Sequence, residues 1–154
     1  MKMKSNSDYI WTEIKAWLLM LWTLPQSIVG LIVILFTCAK PEKEWINNKG
    51  YEYSVAKRFN NSWRGVSLGE FIIFAKEDCV NYDSIKHEYG HRVQSNYFGP
   101  LYLLVIGLPS ILGNLWDRIA HKKWSYKERI EWYYKKLPWE RWADILGGVD
   151  RFYD

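Results

Sequence analysis

Two long apolar runs alternate with polar segments along the chain. The first run, residues 16–39, carries no formal charge and is long enough to cross a lipid bilayer. The second run, residues 98–116, is also uncharged and is about as long as a minimal membrane span. Residues 40–62, which follow the first run, form the most polar connection. The pattern predicts one membrane-associated domain over residues 1–154.

Tryptophans flank the first apolar run, as expected for aromatic anchors at the headgroup level of a membrane. They are Trp11, Trp17, Trp22 and Trp45. Pro25 interrupts the run, together with the two polar residues that follow it. The run therefore predicts membrane insertion, either as one kinked helix that spans the bilayer or as a re-entrant helical hairpin. Positive charges on both sides leave its orientation open.

Capping and turn residues predict a strand and three helices in the rest of the chain. A β-prone run at 65–74 precedes a helix over 85–96, so that residues 63–97 contain a strand and a helix. Residues 125–148 contain two further helices, the first opened by a Ser-x-x-Glu capping box and the second by Pro138. These elements predict a mainly α fold with a small β-sheet.

The helix over 85–96 carries an HExxH motif formed by His87, Glu88 and His91. Two histidines four residues apart lie on one helix face, so both imidazoles can reach one zinc ion, while the glutamate points at the metal-bound water. The chain contains only three histidines, so two of them in this motif are a specific signal.

Glu140 and Asp144 offer the third ligand that this motif lacks. A catalytic zinc site normally takes three protein ligands and leaves the fourth position to water. The two carboxylates are four residues apart on the short helix that Pro138 begins, so both face one way. Acidic pairs with this spacing are common on solvated helices. The position of this pair downstream of HExxH, among apolar neighbours, favours the ligand interpretation.

HExxH followed by ExxxD resembles the gluzincin class of zinc metallopeptidases. The resemblance implies that His87, His91 and Glu140 bind Zn²⁺. It also implies that Glu88 is the catalytic base and that Asp144 hydrogen-bonds a ligand histidine. The fold implied is a minimal zincin-like core, here combined with membrane-embedded helical segments or re-entrant hairpins.

Gly90 lies beside the ligand His91 inside the helix, where glycine costs roughly 1 kcal/mol relative to alanine. The missing side chain would let another backbone approach, and the run at 65–74 is the candidate. In zincins, a sheet edge above the active helix typically holds an extended peptide substrate, and such strand addition tolerates many sequences. The same run also fits an ordinary core strand.

Other candidates for the third ligand fit the sequence less well. The metzincin pattern needs a histidine at the position of Tyr97. His121 remains an alternative, although the adjacent lysines oppose a dication there. Asp83 lies where the helix begins and is better explained as an N-cap or first-turn anion.

A shared zinc site restricts the second apolar run, 98–116. If this run crossed the membrane once, the two ligand histidines and Glu140 would lie on opposite sides. The run must therefore re-enter, lie along the interface or pack inside protein. The residues Leu108, Pro109 and Ser110 are a natural turning point for a re-entrant hairpin.

The charge pattern favours lipid over nucleic acid as a partner. The net charge of +4 is small and spread out, and the chain is 49% apolar and 18% aromatic. Such a chain does not fit a nucleic-acid-binding protein. The lysines and tryptophan after residue 116 suit an anionic membrane surface instead. Cys38 and Cys79 do not form a disulfide framework.

The whole chain also resembles a group of small bacterial membrane proteins that carry HEYGH, then Gln-Ser and Gly-Pro-Leu-Tyr. Here these residues are Gln94, Ser95 and 99–102. This resemblance implies a location in the bacterial cytoplasmic membrane but implies no substrate.

Together the motifs predict a membrane-associated zinc metallopeptidase that acts on a peptide or protein. Tyr89, Tyr133 and Tyr134 are candidates for the group that stabilises the oxyanion. Two alternatives stay open: a non-catalytic membrane scaffold with a structural zinc ion, and a metallohydrolase of a non-peptide substrate.

Overall fold

A computed structural model describes residues 6–58 and 63–150 of the chain. This part is mainly α-helical with one small four-stranded sheet, as predicted. In chain order the elements are α1 (Asn6–Trp22), α2 (Leu24–Thr37), β1 (Lys40–Ile46), β2 (Lys49–Val55), β3 (Gly65–Leu68), β4 (Phe71–Phe74), α3 (Tyr82–Phe98), α4 (Leu108–Ala120), α5 (Tyr126–Lys136) and α6 (Pro138–Gly147).

The sheet consists of two antiparallel hairpins that join through a parallel pair, in the order β1-β2-β4-β3. The expectation of a polar connection over 40–62 is wrong for its first part, because residues 40–55 form β1 and β2. The single strand expected over 65–74 is also two strands, joined by a turn at Gly69 and Glu70. Among the described residues, β3 is an edge strand whose one strand partner is β4.

Helix α3 lies between the sheet and α6. Ile85 of α3 packs into a buried cluster with Ile72 and Phe74 of the sheet. On the opposite face of α3, Gly90 meets α6 so closely that an added Cβ would overlap the backbone carbonyl of Ala143. The expectation that the 65–74 run approaches Gly90 is therefore wrong, because α6 supplies the close backbone.

The first apolar run forms two helices, α1 and α2, which meet at Thr23 with a bend of 75°. Taken together, the two helices are long and apolar enough to form a broken membrane span or a re-entrant loop. The buried residues of α2 are polar or small: Gln26, Ser27, Gly30 and Thr37. Most of its large apolar side chains are exposed instead, including Ile32 at 59% and Leu35 at 69%.

The second apolar run is one continuous helical segment. A 3-10 turn at Gly99–Leu101 and a π-helical turn at Leu103–Gly107 lead directly into α4. The stretch Leu103–Ala120 is long and apolar enough to cross a membrane. The turning point expected around Pro109 is wrong: the wide π turn before it accommodates a residue that lacks a backbone N–H, so the helix continues.

The chain reverses direction after α4, at residues 121–125, and α5 returns beside α4. Arg129 of α5 donates to the buried Asp117 of α4, with its Nη2 2.6 Å from Oδ2. The return brings α6 and Glu140 back to α3. The structure thereby satisfies the requirement that both halves of the metal site lie on the same side of the second apolar run.

Candidate metal centre

The capped start of α3 orients the HExxH residues. Asn81 accepts from the backbone N–H of Ser84, and the Ser84 hydroxyl accepts from the backbone N–H of Asn81, which completes a capping box. From this start, His87 and His91 project from the same face toward α6. Both are buried, with 4% and 6% of their surfaces exposed.

Three ligand atoms converge into a nearly equilateral triangle. His87 Nε2 and His91 Nε2 are 3.1 Å apart, and Glu140 Oε2 lies 3.2 Å from the first and 3.3 Å from the second. Two ligands about 2.0–2.1 Å from a tetrahedral zinc ion are separated by roughly 3.3 Å. The triangle therefore has the dimensions of one face of a tetrahedral site, and its donor set fits zinc.

Hydrogen bonds fix the tautomers of both histidines. Asp144 Oδ1 lies 2.8 Å from His87 Nδ1, and Gln94 Oε1 lies 2.8 Å from His91 Nδ1. The Gln94 amide is itself oriented, because its Nε2 donates to the carbonyl oxygen of Trp139 at 2.8 Å. Each Nδ1 is thus a donor, and the two Nε2 atoms face each other across a gap that a proton or a metal ion can bridge. Such an arrangement calls for a cation between the two rings.

Two neutral hydroxyl groups bind the carboxylate oxygen of Glu140 that does not face the histidines. Its Oε1 accepts from the Ser110 hydroxyl of α4 and from the Tyr133 hydroxyl of α5, the latter at 3.0 Å. Ser110 Oγ and the Tyr133 hydroxyl are also 3.1 Å apart. Burial raises the pKa of Tyr133 above its usual range, which keeps it a donor. Because both hydroxyls bind Oε1, the other carboxylate oxygen, Oε2, is directed at the two histidines.

The charges of the site are strongly coupled. Burial alone would lower the pKa of His87, but hydrogen bonds to Asp144 and Glu140 outweigh it and raise the pKa to about 9. Burial acts to raise the pKa of Glu140, yet the charges of His91 and His87 and their hydrogen bonds hold it well below its usual range. Without a metal, a proton on His87 supplies the positive charge that the buried carboxylates require.

This raised pKa predicts how the binding of a divalent metal ion would depend on pH. Below about pH 9 a proton occupies His87 in the metal-free protein, and the metal ion would have to displace it. Metal affinity should therefore rise about tenfold per pH unit across the neutral range and level off near pH 9. Competition with a chromophoric chelator at several pH values measures this dependence. An affinity that does not change with pH would contradict it.

The catalytic-base candidate Glu88 lies between α3 and the edge strand β3. An added Cβ at Gly65 of β3 would come within 2.6 Å of Glu88 Oε1, so a glycine lets the carboxylate reach the strand. The buried Tyr102 hydroxyl donates to the backbone carbonyl of Ser67 at 3.0 Å. This bond occupies one acceptor of β3 close to Glu88.

Other residues singled out in the sequence lie elsewhere. His121 pairs with Asp117, its Nδ1 3.1 Å from Oδ1, and stacks on Trp124, outside the metal group. Asp83 is exposed in the first turn of α3, and Asn81 is the N-cap.

The three tyrosines proposed as oxyanion donors have separate environments. Tyr89 packs edge-on against Tyr51 of the sheet. Tyr133 holds Glu140, and Tyr134 lies edge-on to the His87 ring at a centroid distance of 5.0 Å. Of the three, Tyr134 has its ring directly against a ligand histidine.

Three residues of the site could not be assigned a role from the sequence. Gln94 and Ser110 orient ligand side chains, and Tyr102 reaches the edge strand. A weak signal existed for Gln94, since it lies three residues after His91 on the same helix face. No comparable signal existed for Ser110 or Tyr102, which reach the site only through packing.

His87, His91 and Glu140 thus form a buried group that could hold a metal ion, with all ligand atoms within 4.8 Å of one another. Asp144 and Gln94 orient the two rings from behind. Comparisons with protein-family models, with curated proteins and with solved structures find no match to this chain.

Proposed function

We propose that the protein is a membrane-associated zinc-dependent peptidase of the gluzincin type. The observation that carries the proposal is the triangle of His87, His91 and Glu140, with Glu88 next to the first ligand in the chain. These residues combine a tetrahedral donor set with a carboxylate in the position that HExxH enzymes use for the base.

Each residue has a defined role in this proposal. A zinc ion held by His87, His91 and Glu140 would supply Lewis acidity that polarises the scissile carbonyl and makes water acidic enough to react near neutral pH. Glu88 accepts the proton of the attacking water and delivers it to the leaving amine. Asp144 keeps the His87 ring in the tautomer that presents Nε2.

The edge strand β3 supports a peptide as the substrate. The Glu88 carboxylate lies over the face of β3 at Gly65, so an extended chain that added to the outer edge of β3 near Gly65 would run beside the catalytic base. Tyr102 already binds the carbonyl of Ser67, so a substrate would pair with β3 at other positions or displace this hydroxyl.

Membrane association is supported by the inverted arrangement of α2. The residues on its buried side are polar or small, and those on its exposed side are apolar. A helix that covers the core of a soluble protein has the opposite arrangement. An apolar face of this kind is stable in contact with lipid. The bilayer of the bacterial cytoplasmic membrane is the partner that we propose for this face.

One observation favours the alternative of a structural zinc ion in a non-catalytic scaffold. All three ligands are buried, and a cleft of about 730 Å³ that lies between α2 and the sheet is not lined by them. A metal ion enclosed on all sides stabilises a fold and has no open position for substrate.

Zinc stoichiometry of the detergent-purified protein tests the ligand set. We expect one zinc ion per chain in the wild type and in His121→Ala, and none in Glu140→Ala, because Glu140 completes the triangle. His121→Ala is the matched control, since it removes a hydrogen-bonded side chain elsewhere. Zinc retained by Glu140→Ala but lost from His121→Ala would overturn the assignment. Cleavage of a peptide library by the zinc-loaded wild type then tests catalysis.

A further inference from the structure

The helical segment from Tyr102 to the end of α4 has two chemically opposite faces. Its inner stripe contacts the rest of the protein and consists of Tyr102, Ile106, Ser110, Gly113, Asp117 and His121. These positions recur every three or four residues, so they lie on one side. Most of them are polar or small, and they bind β3, Glu140 and Arg129.

The outer stripe of the same segment is apolar and bare. It consists of Leu104, Leu108, Ile111, Leu115, Trp116 and Ile119, each between 48% and 67% exposed. A helix on a soluble protein turns its apolar stripe inward. Here the order is reversed, and a continuous apolar strip of this length marks a surface that another apolar phase covers.

Helix α5 determines how this strip can meet a membrane. The segment Leu103–Ala120 is long enough to cross, but α5 runs back beside it and carries exposed charges such as Lys127, Glu131 and Lys135. The bonds of Arg129 to Asp117 and of Tyr133 to Ser110 tie the two helices together. A crossing α4 would therefore carry these charges into the hydrocarbon, which is strongly unfavourable.

The tip of the α4–α5 hairpin has the chemistry of an anionic membrane surface. Lys122, Lys123 and Trp124 are exposed there, at one end of the outer stripe. Lysines next to an apolar strip attract anionic headgroups, and tryptophan prefers the headgroup level. This charge complementarity favours lipid over a second copy of the chain in a parallel pairing, which would bring the lysines of the two tips together.

We infer that α4 lies flat in one leaflet of an anionic bilayer, with its outer stripe in lipid and α5 on the aqueous side, and does not cross the membrane. The metal centre is then held about one helix diameter, roughly 10 Å, from the lipid surface, because Ser110 binds Glu140 from the inner stripe. This inference rests on the membrane association proposed above and is independent of the zinc chemistry.

Immersion depth along α4 tests the inference. Nitroxide labels are placed one at a time on Ile111→Cys, Leu115→Cys and Ile119→Cys. The background is Cys38→Ser, which removes the exposed native cysteine, while Cys79 is buried and out of reach of the label. In vesicles of phosphatidylcholine with phosphatidylglycerol, accessibility to oxygen and to a nickel chelate gives the depth of each label. A flat helix places all three at the same shallow depth. A crossing helix changes the depth by about 12 Å from residue 111 to 119 and overturns the inference.

Further variants give the controls. A label on Glu131→Cys of α5 should stay in water, and a buried label there would contradict the inference. Labels that couple to each other and remain unreachable by oxygen would show a second copy on the outer stripe and overturn it. Lys122→Gln with Lys123→Gln should weaken binding to anionic vesicles about 30-fold, and should change binding to neutral vesicles little. The depths of the labels should be the same in a His87→Ala background. A loss of zinc binding would therefore not change the outcome of this test.

Discussion

Glu88→Gln is expected to retain one zinc ion per chain while it reduces peptide hydrolysis by about 10²–10⁴-fold, the usual contribution of a general base. Glutamine has nearly the same shape as glutamate but cannot accept the proton of the attacking water. Glu88 is not one of the three converging ligands, so the metal should stay bound. The measurement is the initial rate on the best library peptide, together with zinc content by atomic absorption.

Glu131→Gln is the matched control for this experiment. It makes the same change in an exposed side chain of α5, where Glu131 pairs with the neighbouring Lys135. Its rate should equal that of the wild type. If Glu88→Gln keeps the full rate, Glu88 is not the base. If the zinc-loaded wild type hydrolyses no peptide at all, the structural-zinc scaffold becomes the better description of the protein.

Gly90→Ala is expected to have the largest effect on the fold among single-methyl changes in α3. The added Cβ would overlap the Ala143 backbone carbonyl, and backbone of a packed helix cannot move aside as a flexible side chain can. Helix α6 must then shift away from α3, and Glu140 and Asp144 shift with it. We expect a loss of about 3 kcal/mol in stability, the upper end of overpacking costs, together with loss of bound zinc.

Gly107→Ala is the control for Gly90→Ala. An added Cβ at Gly107 would meet its nearest atom, a Leu103 methyl, at 3.7 Å, which is an ordinary contact. Its stability should change by less than about 1 kcal/mol and its zinc content should not change. Thermal unfolding with and without zinc measures both variants. A stable, zinc-loaded Gly90→Ala would show that the close packing of α6 on α3 does not position the ligands.

Helices with local start and stop signals were predictable from the sequence. The capping box at Ser125 and Glu128 begins α5, and Pro138 with Gly148 in a left-handed conformation bounds α6. These signals work because capping hydrogen bonds join residues within one turn, so their geometry follows from spacing alone.

Strand β1 was not predictable in the same way. β1 has the sequence KPEKEWI, and all its residues except Ile46 are exposed or nearly so. No alternation of apolar and polar positions therefore marks it as a strand. The turn at Asn47 and Asn48, both with positive φ, was the available signal, since asparagine tolerates this conformation in hairpins. Pairing with β2 stabilises β1 without a sequence pattern of its own.

The sequence alone determined which side chains could bind a metal, because HExxH and ExxxD each join residues one helical turn apart, and helix geometry then aligns them. Only the tertiary structure decided that the two turns meet, because Gly90 lets α6 approach α3, and that Gln94 and Ser110 orient the ligands. It also decided which face of α4 is bare. Such contacts join residues that are far apart in the chain. They depend on how the helices pack, so no fixed spacing in the sequence predicts them.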